Sequence, residues 1–154
     1  MRDGDGIKII SENRKARHNY QLDDRFEAGL VLQGTEVKSL RQGKANLQDA
    51  YAVFKRKELF LLNAHIPPYT HGNLANHEPL RTRKLLLHKA ELHKLWGKIE
   101  TKGYTLVPLK LYFKKGIAKV ELALARGKKQ HDKRQTTKDR ENKRQMDRLR
   151  RHAA

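Results

Sequence analysis

The last stretch of the chain, Arg126 to Ala154, sets the tightest limit on what this sequence can fold into. Twelve of its residues are Lys or Arg and four are acidic. After Gly127 it holds no further Gly or Pro, and its only large apolar residues are Met146 and Leu149. A segment with so much like charge and so little apolar surface cannot build a core of its own. It is expected to stay disordered when free and to order only against a polyanion. Residues 1–125 are different in kind, with alternating apolar stretches, aromatics and turns. The expected organisation is a folded body over 1–125 and a basic tail over 126–154.

Both parts are basic. The chain carries 35 Lys and Arg against 17 Asp and Glu, a formal charge of +18. The tail supplies twelve cations less four acids, or +8, which leaves +10 on the body. Such a field favours nucleic acid or an anionic membrane surface. A membrane fits poorly, because there is no long apolar run and the tail lacks an apolar helix face. Ile7, Ile9 and Ile10, interrupted by Lys8 and Ser11, do not make a signal sequence. The absence of cysteine excludes disulfides, thiolate metal sites and cysteine nucleophiles, and suits a cytoplasmic protein.

Along the body, Tyr20 opens a strand with Leu22, Phe26, Leu30 and Leu32 on one face, and Gly29 permits a bend or bulge. Gly34 to Arg41 predicts a short helix, N-capped by Thr35 and ended by Gly43. Tyr51–Phe54 and Leu59–Leu62 predict a hairpin over a four-residue polar turn. The stretch from Pro67 to Pro79 is too long for a simple turn. Arg81 to Leu87 reads slightly better as strand than as helix. His88 and Glu91 form a capping pair for an amphipathic helix of Leu92, Leu95, Trp96 and Ile99, closed by Gly103. Tyr104–Phe113 and Ile117–Leu124 predict a second hairpin, in which Pro108 implies an edge or a bulge. The fold class is α+β, mainly β: a small antiparallel barrel with about three helices.

Eight histidines raise the question of a metal site. His65, His71 and His77 recur at intervals of six, and His88 and His93 are five apart, neither a standard ligand spacing. They read better as surface or RNA-facing histidines, so no metal and no cofactor is expected. No GxSxG, Walker-A or dinucleotide fingerprint occurs, and Glu27 and Glu36 do not form an assertable carboxylate pair, so no catalytic residue is assigned.

Three cationic clusters remain. Asn13-Arg14-Lys15-Ala16-Arg17-His18-Asn19-Tyr20 mixes groups that fork onto phosphate, read base edges and stack. Arg81-Thr82-Arg83-Lys84 is a phosphate clamp or a solvated edge, and Lys38, Arg41 and Lys44 are a ligand surface or a solvated helix face. Each alone decides nothing. Together they suit a body whose charge needs a partner.

Read in order, the first of these clusters, the second carried on through Leu85-Leu86-Leu87, and four further blocks resemble the small protein B family, the SsrA-binding proteins of bacterial trans-translation. The others are Phe26-Glu27-Ala28-Gly29-Leu30, Gly34-Thr35-Glu36-Val37-Lys38-Ser39-Leu40-Arg41, Gly43-Lys44-Ala45-Asn46 and Gly127-Lys128-Lys129-Gln130-His131-Asp132-Lys133-Arg134. The resemblance runs from Ile7 to about Arg151. It implies a β-barrel of oligonucleotide-binding-fold type that binds the tRNA-like domain of tmRNA and delivers it to stalled ribosomes. It also implies a tail that enters the empty mRNA path near the decoding centre of the small subunit and becomes helical there. The protein itself would act as a monomer and perform no chemistry. Elongation factor Tu is a candidate partner in the delivery complex, with direct contact left open. Asn13, Arg17, His18, Tyr20 and Glu27 match family positions at or near the tmRNA surface. Arg14, Lys38, Arg41, Lys44, Arg81, Arg83 and Lys84 complete the expected RNA-facing set. In the tail, Gly127, Lys128, Lys129, His131, Asp132, Lys133 and Arg134 make the expected decoding-centre segment, with His131 stacking on an rRNA base and the cations neutralising phosphates. The rival reading is a small structural ribosomal protein, which shares the size and charge but does not account for the ordered blocks.

Overall fold

The computed structural model describes residues 6–71, 76–127 and 140–149. Its elements run β1 (Ile7–Glu12), α1 (Arg14–Asn19), β2 (Tyr20–Leu30), α2 (Gly34–Arg41), β3 (Tyr51–Lys55), β4 (Glu58–Leu62), β5 (Arg83–Leu86), α3 (Lys89–Lys102), β6 (Thr105–Lys114) and β7 (Ile117–Gly127). Residues 140–149 form a further helix.

All pairings are antiparallel and follow the order β1-β6-β3-β4-β5-β2-β7, with β6 also pairing β7. The last pairing closes the sheet into a ring. One edge of β6 is shared, since β1 pairs Lys110 to Lys114 while β3 pairs only Leu106. Pro108 lies between these two partners and the ladder to β7 shifts register there, so its missing N–H falls at a bulge. The ring encloses Phe26, Ala28, Leu59, Leu61, Leu85, Leu106, Leu111, Val120, Leu122 and Leu124, with Leu40 from α2 and Leu95 from α3.

β6 and β7 read as nearly continuous apolar runs because both of their faces are covered. Val107, Leu109, Ala123 and Ala125 point outward and pack with Ala16 of α1, beside Tyr20 and Leu22. The small side chains let α1 lie directly on the outside of the ring. This helix and β1 are absent from the sequence expectation, since α1 has no apolar stripe and buries only Ala16. Asn13 starts it: its Oδ1 accepts from the Ala16 N–H at 3.2 Å.

Several local expectations need correction. α2 is capped by Gln33 rather than Thr35, with the Glu36 side chain accepting from the Gln33 N–H at 2.7 Å. The β3–β4 turn has two residues, not four, and Arg56 and Lys57 take φ of 53° and 67° without a glycine. This is the doubly left-handed turn that matches strand twist. In β2 the bulge falls between Leu22 and Arg25, while Gly29 pairs regularly on both sides. Arg83–Leu86 is strand, and α3 has the expected His88–Glu91 cap and a left-handed Gly103 at its end. β7 continues through Gly127, so Arg126 and Gly127 belong to the body's sheet.

Candidate nucleic-acid interface

The cationic clusters divide between the inside and the outside of the ring. Alternation along β5 turns Arg83 and Leu85 inward and Lys84 and Leu86 outward. Arg83 is fully buried beside the equally buried Glu36. Its Nε donates to Glu36, its other nitrogens to the carbonyls of Ala64 at 2.7 Å and Pro79 at 3.1 Å. Arg81 donates to the same carboxylate at 2.6 Å and to the Val31 carbonyl at 3.1 Å. Burial alone would raise the Glu36 carboxyl, but hydrogen bonds from Arg81, the Gln33 amide and Arg83 hold it below the usual carboxylate range. Arg83 therefore has no face for RNA, which corrects its assignment. It anchors α2 and the segment before β5 to the barrel, and Arg81 spends most of its donors the same way.

Asn13 needs a similar correction. It is buried, and its Nδ2 donates to the carbonyls of Leu47 at 3.1 Å and Pro108 at 3.0 Å. Its N–H donates to the Leu109 carbonyl at 2.8 Å. The amide expected at the RNA instead fills the gap on β6 between β1 and β3. It holds α1 in place, with Arg14 and Arg17 exposed and His18 and Tyr20 half-buried. The His18 Nδ1 is buried without a hydrogen-bond partner among the described residues. Lys15 lies 3.7 Å from Asp49 in an exposed pair.

The outer wall carries a row that crosses four strands. Leu86 of β5 is level with Gly29 of β2, Gly29 with Lys119 of β7, and Lys119 with Tyr112 of β6. Glu27 is the next outward residue on β2. It accepts from the Tyr112 hydroxyl and lies 3.5 Å from the Lys114 Nζ. The Tyr112 hydrogen bond, helped by Lys114 and Lys119, pulls the Glu27 carboxyl down, while burial and then Glu27 itself push the Tyr112 phenol up. An acid is thus held ionised and aimed on a cationic wall, beside a leucine that is half exposed. A carboxylate so placed can accept from base amino groups, Lys119 and Lys114 can meet phosphate, and Leu86 can pack on a base. Sequence reasoning missed Leu86, Lys119 and Tyr112. The signal was available in the Arg-Lys-Leu-Leu alternation, which puts Leu86 on the face of Lys84.

Lys84 sits on this wall 3.1 Å from Glu58. Lys38, Arg41 and Lys44 are exposed on and after α2, with the Lys38 ammonium 5.6 Å from the centre of the Tyr69 ring. Among the described residues the histidines do not gather. His65 bridges to Asn46, His71 packs on Tyr69, and His77 is buried, with Nε2 donating to the Ile66 carbonyl and Nδ1 bonded to the Thr35 hydroxyl. The expectation of surface histidines fails at His77. Of the tail set, Gly127 ends β7 opposite Tyr20. Lys128, Lys129, His131, Asp132, Lys133 and Arg134 lie outside the described residues. Among the described residues no helix is long and apolar enough to cross a membrane.

Residues 10–152 match the model of the SmpB protein family. The chain belongs to that family. It is 59% identical over 141 residues to an SsrA-binding protein of Geobacter metallireducens, covering 92% of each chain. With an SsrA-binding protein of Trichodesmium erythraeum the identity is 58% over 146 residues, covering 94% of each. Among solved structures it is similar to a chain described as "tmRNA-SmpB: a journey to the center of the bacterial ribosome". That similarity has a TM-score of 0.66 and 57% identity, and covers 78% of this chain and 85% of the other.

Proposed function

We propose that this chain is an RNA-binding ribosome-rescue factor of the cytoplasm: it binds the tRNA-like domain of tmRNA and brings it to stalled ribosomes. The observation that carries this reading is the outer wall, where Glu27 is held ionised among Tyr112, Lys114 and Lys119 beside the exposed Leu86. Relatives at nearly 60% identity that are SsrA-binding proteins, and a structural neighbour from a tmRNA complex on the ribosome, support the same partners. The wall and α1, with Arg14, Arg17, His18 and Tyr20, grip the RNA. Asn13 and Arg83 act from inside by fixing α1 and the approach to β5. Lys38, Arg41, Lys44 and Lys84 add phosphate contacts. The tail over 126–154, in which residues 140–149 are already helical, enters the empty mRNA path near the decoding centre and completes its ordering there. There Lys128, Lys129, Lys133 and Arg134 neutralise rRNA phosphates and His131 stacks. No catalytic step belongs to this chain; it positions one RNA against another.

The test is a binding titration with the tRNA-like domain of tmRNA, competed by alanine tRNA, at two salt concentrations. A preference for tmRNA that persists as phosphate contacts weaken at higher salt is the expected result. Equal and steeply salt-dependent affinity for both RNAs would reduce the protein to a general basic RNA binder. Removal of the chain from His131 onward should leave tmRNA affinity intact and abolish tagging on stalled ribosomes.

A further inference from the structure

A groove separate from the proposed tmRNA wall runs between the β3–β4 turn and α3. It has a volume of about 260 Å³ and is lined by Phe54, Lys57, Lys89, Leu92, His93 and Trp96. The rings of Phe54 and Trp96 meet edge to face, with centroids 5.3 Å apart and planes at 87°. Trp96 remains 47% exposed although its neighbour Leu95 is completely buried in the barrel core. One exposed aromatic is unremarkable. Here, however, two apolar rings and Leu92 make a recess with ammonium groups at its rim, since Lys57 and Lys89 are both exposed. The left-handed turn at Arg56 and Lys57 fixes the backbone from which Lys57 projects. No acid lines the groove. The two nearest in sequence are engaged, Glu58 with Lys84 at 3.1 Å and Glu91 with the His88 N–H at 3.2 Å.

We infer that this groove takes a single unstacked base of ribosomal RNA, stacked against Trp96 and Phe54 with its phosphates on Lys57 and Lys89. Aromatic platforms flanked by cations hold single-stranded nucleic acid in this way, and stacking tolerates any base because every base has a π face. An acidic peptide would satisfy the lysines but leave the aromatic recess unused. The groove contains no residue of α1, β2, β5, β6 or β7, the elements that carry the proposed tmRNA grip. An RNA held there is therefore offered a second, separate surface. The inference rests on the rescue-factor reading and extends it, by giving the barrel its own contact with the ribosome.

Trp96 is the only tryptophan in the chain, so its emission reports on the groove directly. The full-length protein is titrated with short single-stranded oligoadenylate, with an abasic phosphodiester of equal length, and with an oligoglutamate peptide of equal charge. Saturable quenching by oligoadenylate, several-fold weaker with the abasic strand and with Lys57→Glu or Lys89→Glu, is the expected result. Equal or stronger quenching by the abasic strand or the peptide would overturn the inference, as would no quenching by any of them. The same lysine variants, and Phe54→Ala with Trp96→Ala, should lower co-sedimentation with small ribosomal subunits several-fold while leaving tmRNA affinity unchanged. Unchanged co-sedimentation, or lost tmRNA affinity in a folded variant, would also overturn it. The lysine variants change only exposed side chains, so they stay informative if the aromatic pair fails to fold. Failure of the rescue-factor reading looks different: the unaltered protein would then show no preference for tmRNA.

Discussion

Glu36 and Glu27 are two carboxylates in a strongly basic chain, and they serve it in opposite places. Glu36 is fully buried and gathers Arg81 and Arg83 to it; Glu27 stands on the outer wall, held by one tyrosine and facing solvent lysines. Both are held ionised, the first against a heavy cost of burial and the second with little burial to oppose. The lesson is that a cation cluster in a sequence gives charge but not side. The basic run from Arg81 to Lys84 commits the buried Arg83 and the half-buried Arg81 to Glu36 and leaves Lys84 on the outer face.

The comparison breaks most clearly at Arg83. Arg83→Met leaves Glu36 buried with one partner removed, which should cost about 3–5 kcal/mol of stability, the usual loss when one half of a buried ion pair goes. Urea denaturation measures it, and the affinity of the folded fraction for tmRNA should be unchanged. A variant of near-native stability and weakened RNA binding would put Arg83 on the RNA instead. Glu27→Gln should do the reverse. Loss of a positioned acceptor should cost about 1–3 kcal/mol of discrimination between tmRNA and alanine tRNA. Stability should change by less than about 1 kcal/mol, as for other exposed pairs.

Acid and alkali sharpen the contrast further. Both glutamates have folded pKa values below their unfolded ones, so their contribution is complete above the unfolded value of about 4.3 and is lost as pH falls through the folded value. Stability should therefore hold on acidification from neutrality to about pH 5 and then decline, and Glu36→Gln should flatten that decline more than Glu27→Gln. Tyr112 has the opposite sign. Its folded pKa is raised, so its contribution is complete below about pH 10 and is lost above it, and Tyr112→Phe should remove that alkaline loss. Thermal melts across pH test both arms. The smallest effect belongs to Lys84 and Glu58, an exposed pair whose disruption by Lys84→Ala should cost under about 1 kcal/mol. A larger loss in a double-mutant cycle would make the outer wall more structural than described.

Much of the barrel is legible because its signals are local. The alternation of β6 and β7, the cap of α3 at His88 and Glu91, and the stop at Gly103 each lie within a few residues. What escapes is long-range or lacks an apolar pattern. Arg83 finds its acid 47 positions away, and nothing in the neighbouring sequence points to that partner. α1 is held by one buried alanine and a capping asparagine, so a search for amphipathic periodicity passes over it. The turn at Arg56 and Lys57 takes a conformation usually marked by Asn-Gly, without either residue. At the candidate site, the sequence singles out the charged residues of α1 and Glu27 but gives no sign of the wall that frames them. That wall exists only once β5, β2, β7 and β6 are set in register.

The pairing of Gly127 with Tyr20 has a mechanical consequence. β7 delivers the chain to the root of its tail within a hydrogen-bonded ladder, next to α1, with Arg126 packed 5.2 Å over the Tyr104 ring and Tyr104 bonded to Asp23. The point at which the chain leaves the sheet is thus fixed by the barrel. Under the proposed function, an RNA gripped near α1 and the root of the tail at Gly127 would keep a constant offset, because the same barrel holds both.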